Sequence, residues 1–105
     1  MKGIFYMYRN FQNNQLFTKE VDVIFADKAM FKTITDKNNI QRNLFSFYVN
    51  DDGQNIKCVT WNETADNLNK VFNKDTKTIE IKYLHKNNKN TDELEYSVRE
   101  FNIIN

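Results

Sequence analysis

The chain has no proline, two glycines, one histidine, one cysteine and one tryptophan among its 105 residues. A lone Cys58 makes an internal disulfide impossible, and with a single His85 it makes no credible zinc set, so a reducing, nuclear or cytoplasmic setting is expected. No glycine-rich phosphate loop, nucleophile elbow or zinc motif stands anywhere. Neither a catalytic residue nor a metal or other cofactor is therefore expected. Long hydrophobic runs are missing too: the start, MKGIFYMYRN, holds too few apolar residues before Arg9 for a signal-peptide core or a membrane span, so no membrane partner is expected. Charge of one sign is also lacking. Lys plus Arg number 15 against 14 Asp plus Glu, which implies no acidic partner until the charges are placed on a fold.

What is present is apolar and aromatic mass. Nine Phe, five Tyr and a 40% hydrophobic content are too much for a disordered chain, and the length suits one small domain.

Period-two alternation dominates. An aromatic stretch in residues 1–20 reads as an N-terminal arm or edge strand that covers the domain proper, residues 21–105. Residues 21–31 (VDVIFADKAMF) put Val21, Val23 and Phe25 on one side of a strand bent near Ala26, with a helix over 25–34 as the competing reading. Residues 32–41 are polar and turn-rich and read as a loop. Strand two, 43–50, is followed by Asp51, Asp52 and Gly53, which suit a tight hairpin because Asp and Gly tolerate positive φ. Strand three, 56–61, sets Ile56, Cys58 and Thr60 against Lys57, Val59 and Trp61. A helix over 62–72 follows, with Asn62 as its expected N-cap. Strand four spans 78–84, a polar loop 85–92, and strand five begins near Leu94.

That order is the order of a five-stranded Greek-key barrel with a short helix between strands three and four, the OB-fold, here with an extra N-terminal strand or arm. Such barrels hold ligands on strands two and three and between the loops joining strands one to two and four to five. Trp61 is the candidate contact. A base stacked on an aromatic ring gains about 1–3 kcal/mol whatever its identity, and a face that also carries Lys57 is a poor candidate for core. Cys58, on the opposite face, reads as core. Phosphate contacts need cations where a strand would pass: Lys32, Lys37 and Arg42 around the first loop, and Lys82, Lys86 and Lys89 with His85 around the second. Tyr48 is a candidate groove residue from strand two.

The wording of the chain is also specific. VDVI at 21–24, Ile34 and Thr35, Arg42 and Asn43 opening strand two, the Asp-Gly turn, strand three ending on Trp61, and Glu63, Ala65 and Asp66 together resemble an OB-fold DNA-binding domain of the replication protein A large subunit, most of all its second central domain. The resemblance covers roughly residues 21–104. It implies single-stranded DNA binding by stacking and backbone charge, with low sequence specificity, in replication, repair or recombination. Trp61 matches the first of the family's two stacking aromatics. The second should follow strand four, where LHKNNKN holds no Phe or Tyr; Tyr83 and His85 are the nearest substitutes. Single-stranded RNA suits the same stacking chemistry, and a protein partner, or a second copy of the chain, suits a nearly neutral OB-fold with an aromatic N-terminus.

Overall fold

The computed structural model describes residues 15–105; the expected arm therefore lies largely outside the described residues. Six strands and one helix follow in order: β1 (Phe17–Ile24), β2 (Met30–Thr35), β3 (Gln41–Asp51), β4 (Gln54–Trp61), α1 (Asn62–Val71), β5 (Thr78–Asn88) and β6 (Glu93–Ile103). The sheet order is β1-β5-β6-β4-β3-β2, and β1 also pairs with β3, which closes the barrel. All pairings are antiparallel except that of β4 with β6. β1 and β2 are two halves of one bent strand: β1 runs beside β5 and the far end of β3, while β2 runs beside the near half of β3. Counting them together gives the five-stranded Greek-key topology expected from the sequence, with the helix between its third and fourth strands.

The bend falls where the alternation weakens. Phe25 adopts a left-handed backbone (φ 50°, ψ 46°), a short 3-10 turn covers Ala26–Lys28, and the strand resumes at Met30. A helix over 25–34 is not formed.

Alternation along β3, β4 and β5 builds the core. Phe45, Phe47, Val49, Ile56, Cys58, Ile79, Ile81, Tyr83, Tyr96 and Val98 point inward and are buried, and Ala65 and Leu68 of α1 close one end against them. Phe72, just after the helix, packs edge-on to Phe45 (ring centroids 5.2 Å apart) and tilted against Phe47 (5.5 Å). Thr60 is the buried polar residue of β4, and its hydroxyl donates to the Val98 carbonyl at 2.9 Å. The β3–β4 hairpin turns on Asp52 (φ 53°) and Gly53 (φ 84°), the two successive positive values of a type I′ turn.

Three local expectations are corrected. Asn62 does not cap the helix: it stands in left-handed backbone (φ 56°) as the first helical residue, and no side chain caps that end. The first loop shrinks to residues 36–40, because Lys32 to Thr35 pair with β3. The second loop shrinks to residues 89–92, because His85 to Asn88 pair with β6. In both places the strand runs past the end of the core, where backbone pairing persists but no apolar face marks it.

Candidate nucleic-acid interface

Residues opposite one another across antiparallel strands share a face of the sheet. The register of β3 with β4 sets Leu44 opposite Trp61, Ser46 opposite Val59 and Tyr48 opposite Lys57. β2 adds Met30, Lys32 and Ile34, opposite Ser46, Leu44 and Arg42. On the other side, β6 brings Glu95 beside Lys57 and Ser97 beside Val59, and β5 brings Lys86 beside Glu95 and Leu84 beside Ser97. One outward face thus spans five strands. Its floor is apolar, with Leu44, Val59 and Leu84 nearly covered, and its upper layer is aromatic and cationic.

Trp61 is partly exposed on this face, and the Lys86 ammonium lies over its ring, 6.0 Å from the centroid. That distance is at the edge of the range for cation–π attraction. Among the described residues, Lys57 and Lys86 have no carboxylate within 4.0 Å. Their charge is free for a ligand.

Of the eleven residues singled out from the sequence, six share this face by register: Trp61, Lys57, Tyr48, Lys86, Lys32 and Arg42. Arg42 is partly committed, its Nε standing 3.3 Å from Asp36 Oδ2. Asp36 also accepts from the amides of Ile40 (3.0 Å) and Asn38 (2.9 Å). Those contacts, led by the Ile40 amide, hold the Asp36 carboxyl below its ordinary pKa. Lys37 and Lys89 are exposed in the turns that flank the face.

Three residues lie elsewhere. Tyr83 is only 3% exposed and stacks on Tyr96 inside the barrel, with ring centroids 4.1 Å apart. His85 follows it on the inward side of β5 and stacks between Phe17 (4.9 Å) and Tyr96 (5.4 Å) at the barrel's end. Strict alternation puts both on the face opposite Leu84 and Lys86, so neither serves as the second groove aromatic. Lys82 sits beyond a bulge between Lys82 and Tyr83, 3.7 Å from Glu100, in a separate hollow with Thr18 and Glu80.

Phe25 was missed. Period two assigns it to the inward side with Val21 and Val23, but its left-handed backbone turns it out, 48% exposed and edge-on to Tyr48 (6.2 Å). The Lys28 ammonium lies over the same ring, 4.9 Å from its centroid. The break in alternation at Ala26 was the only signal in the sequence, and it marked a bend without saying which side chain the bend would release.

No protein-family model matches the chain, and no curated protein does. Among solved structures, it is similar to the second OB-fold domain of replication protein A from Methanococcus maripaludis, with 27% identity and a TM-score of 0.64 over 87% of this chain and 85% of that one. The chain is a replication protein A-like OB-fold. A second likeness is one of fold: the SSB domain of a Synechococcus sp. protein, with 14% identity and a TM-score of 0.59 over 82% of this chain and 91% of that one. In this OB-fold the face built from β3 and β4 is the one that such barrels turn to their ligands. Among the described residues no helix is long and apolar enough to cross a membrane.

Proposed function

We propose that this OB-fold binds single-stranded DNA across the face that carries Trp61, by stacking and by backbone charge. The observation that carries the reading is the pairing of a partly exposed indole with unpaired ammonium groups, Lys86 over the ring and Lys57 on the same strand. A base laid on Trp61 would sit between an aromatic surface and cations placed for the flanking phosphates. Lys32, Arg42, Lys37 and Lys89 extend that charge to either side. Stacking at Trp61 reads no base edge, so contact there is tolerant of sequence. The likeness to a replication protein A domain supports the same reading. Work on single strands in replication, repair or recombination, in a reducing compartment, is the setting that fits it.

Trp61 is the only tryptophan, so its fluorescence reports on the site directly. The test is titration with oligo-dT of about 20 nucleotides, longer than the ~4–16 covered by one OB-fold, followed by tryptophan quenching and by anisotropy of a labelled strand. Quenching should accompany binding, and Trp61→Ala should weaken affinity about 5- to 150-fold, the equivalent of one stacked base. Absence of binding at micromolar protein and low salt would sink the reading. Tight binding to oligo-U with none to oligo-dT would reassign the ligand to RNA.

A further inference from the structure

A hollow of about 630 Å³ opens on the same face, away from Trp61, lined among others by Phe25, Tyr48, Lys57, Asn88, Glu93 and Glu95. Its two sides differ in chemistry. One is the Phe25–Tyr48 aromatic pair, with Lys28 over the Phe25 ring. The other holds a carboxylate: Glu95 is 7% exposed, takes the Asn88 amide on Oε2 at 2.8 Å, and has no hydrogen bond to Oε1 among the described residues. Lys57 stands between the two sides, opposite Tyr48 and beside Glu95 in the register. Tyr48 and Glu95 are two strand spacings apart, about 10 Å, a distance that a planar heterocycle and its hydrogen bonds can span when laid over the Lys57 stem.

Two features mark this hollow as more than surface relief. A bulky residue in left-handed backbone is a conformational outlier, and here it holds out a ring that ordinary strand geometry would bury. A carboxylate almost out of solvent on a face otherwise rich in cations is equally unusual, because it repels the phosphates those cations attract.

We infer that the hollow is a base-reading subsite that takes a nucleobase carrying amino and imino donors, guanine above all, packed into the corner made by the Phe25 and Tyr48 rings with its edge on Glu95. The inference rests on the single-strand reading. A carboxylate accepts hydrogen bonds and donates none, so it selects an edge rich in N–H groups. Guanine offers N1–H and the 2-amino group side by side. Cytosine and adenine each offer one amino group, and thymine offers a single N–H between two carbonyl oxygens that the carboxylate would repel. The phosphate must then lie away from Glu95, towards Lys28 on the Phe25 side. The face therefore combines a tolerant stacking point at Trp61 with one selective position.

The experiment compares labelled oligo-dT of about 15 nucleotides with the same strand carrying one central guanine, cytosine or inosine, by anisotropy at fixed salt. The central guanine should tighten binding about tenfold, the usual gain of one well-matched two-point base contact. Inosine, which lacks the 2-amino group, should fall between guanine and thymine. Glu95→Gln should abolish the guanine preference, so that the guanine strand and oligo-dT bind that variant equally. Phe25→Gly, which suits the left-handed backbone and deletes the ring, should weaken binding of oligo-dT and of the guanine strand several-fold. Equal affinity of the wild-type protein for all strands would overturn the inference and leave the single-strand reading standing; failure to bind any strand would overturn both. The base series on the wild-type protein decides the matter even where a variant fails to fold. A guanine preference that survives Glu95→Gln in a folded protein also overturns the assignment.

Discussion

Asp51 ends β3 and ties together three strands that are far apart in sequence. Its Oδ2 accepts the Tyr96 hydroxyl of β6 at 2.6 Å, and its Oδ1 accepts the Lys19 ammonium of β1 at 2.9 Å. The Tyr96 bond is buried and short, within the range of charge-assisted O–H···O⁻ bonds. Tyr96→Phe removes it while leaving the ring stacked on Tyr83, and the cost should be about 2 kcal/mol, typical of a hydrogen bond to a charged group. Lys19 is well exposed, so Lys19→Met should matter less than Tyr96→Phe. The network also sets an acid limit. Burial disfavours the Asp51 carboxylate, but the bonds from Lys19 and Tyr96 outweigh it and hold the carboxyl below its ordinary pKa. Ionised Asp51 therefore stabilises the fold above the unfolded carboxyl's pKa of about 4, and that contribution is lost as pH falls through the lower folded-state value. Urea titrations from pH 7 down to pH 2 would read both effects. Tyr96→Phe should lower the midpoint at pH 7 by about 1–2 M, and Asp51→Asn should flatten the acid decline. A Tyr96→Phe midpoint equal to wild type, or acid profiles of wild type and Asp51→Asn that superimpose, would refute the reasoning.

Other outcomes follow from single residues. Lys57→Gln and Lys86→Gln should each weaken oligo-dT binding and reduce the slope of log affinity against log salt by about 0.7, the share of one phosphate contact on a single strand; unchanged slopes would remove these lysines from the phosphate path. Gly53→Ala meets no atom within 4 Å, so any loss of stability should come from its φ of +84° alone, about 1–2 kcal/mol in a urea titration. Cys58 is fully buried and its thiol pKa is pushed up by that burial, so a thiol reagent at pH 8 should label it only as the barrel unfolds; prompt labelling of the native protein would mean that β4 opens locally.

The barrel was legible because its core strands alternate cleanly. Ile56, Cys58 and Thr60 against Lys57, Val59 and Trp61 is a two-faced pattern that a one-residue slip would invert. The Asp52-Gly53 turn was legible because few residue pairs accept two positive φ values. Strand ends were not legible: His85 to Asn88 are polar on both sides, and their place in β5 depends on pairing with Glu93 to Tyr96, which local sequence does not encode. At the site, the face of Trp61 and Lys57 followed from parity. Tyr83 and His85 were assigned to the groove by proximity to a missing family aromatic, although parity with Ile79 and Ile81 already pointed them inward. Phe25 failed the same rule in the other direction, because its own left-handed backbone takes it out of the alternation that Val21 and Val23 follow.

That residue carries a mechanical consequence as well. β2 projects from the kink as six residues, about 20 Å of strand. All six residues pair with β3, so the strand is held along its whole length. The kink at Phe25 thus lets one continuous run of chain serve two parts of the sheet, first beside β5 and then as the rim of the ligand face.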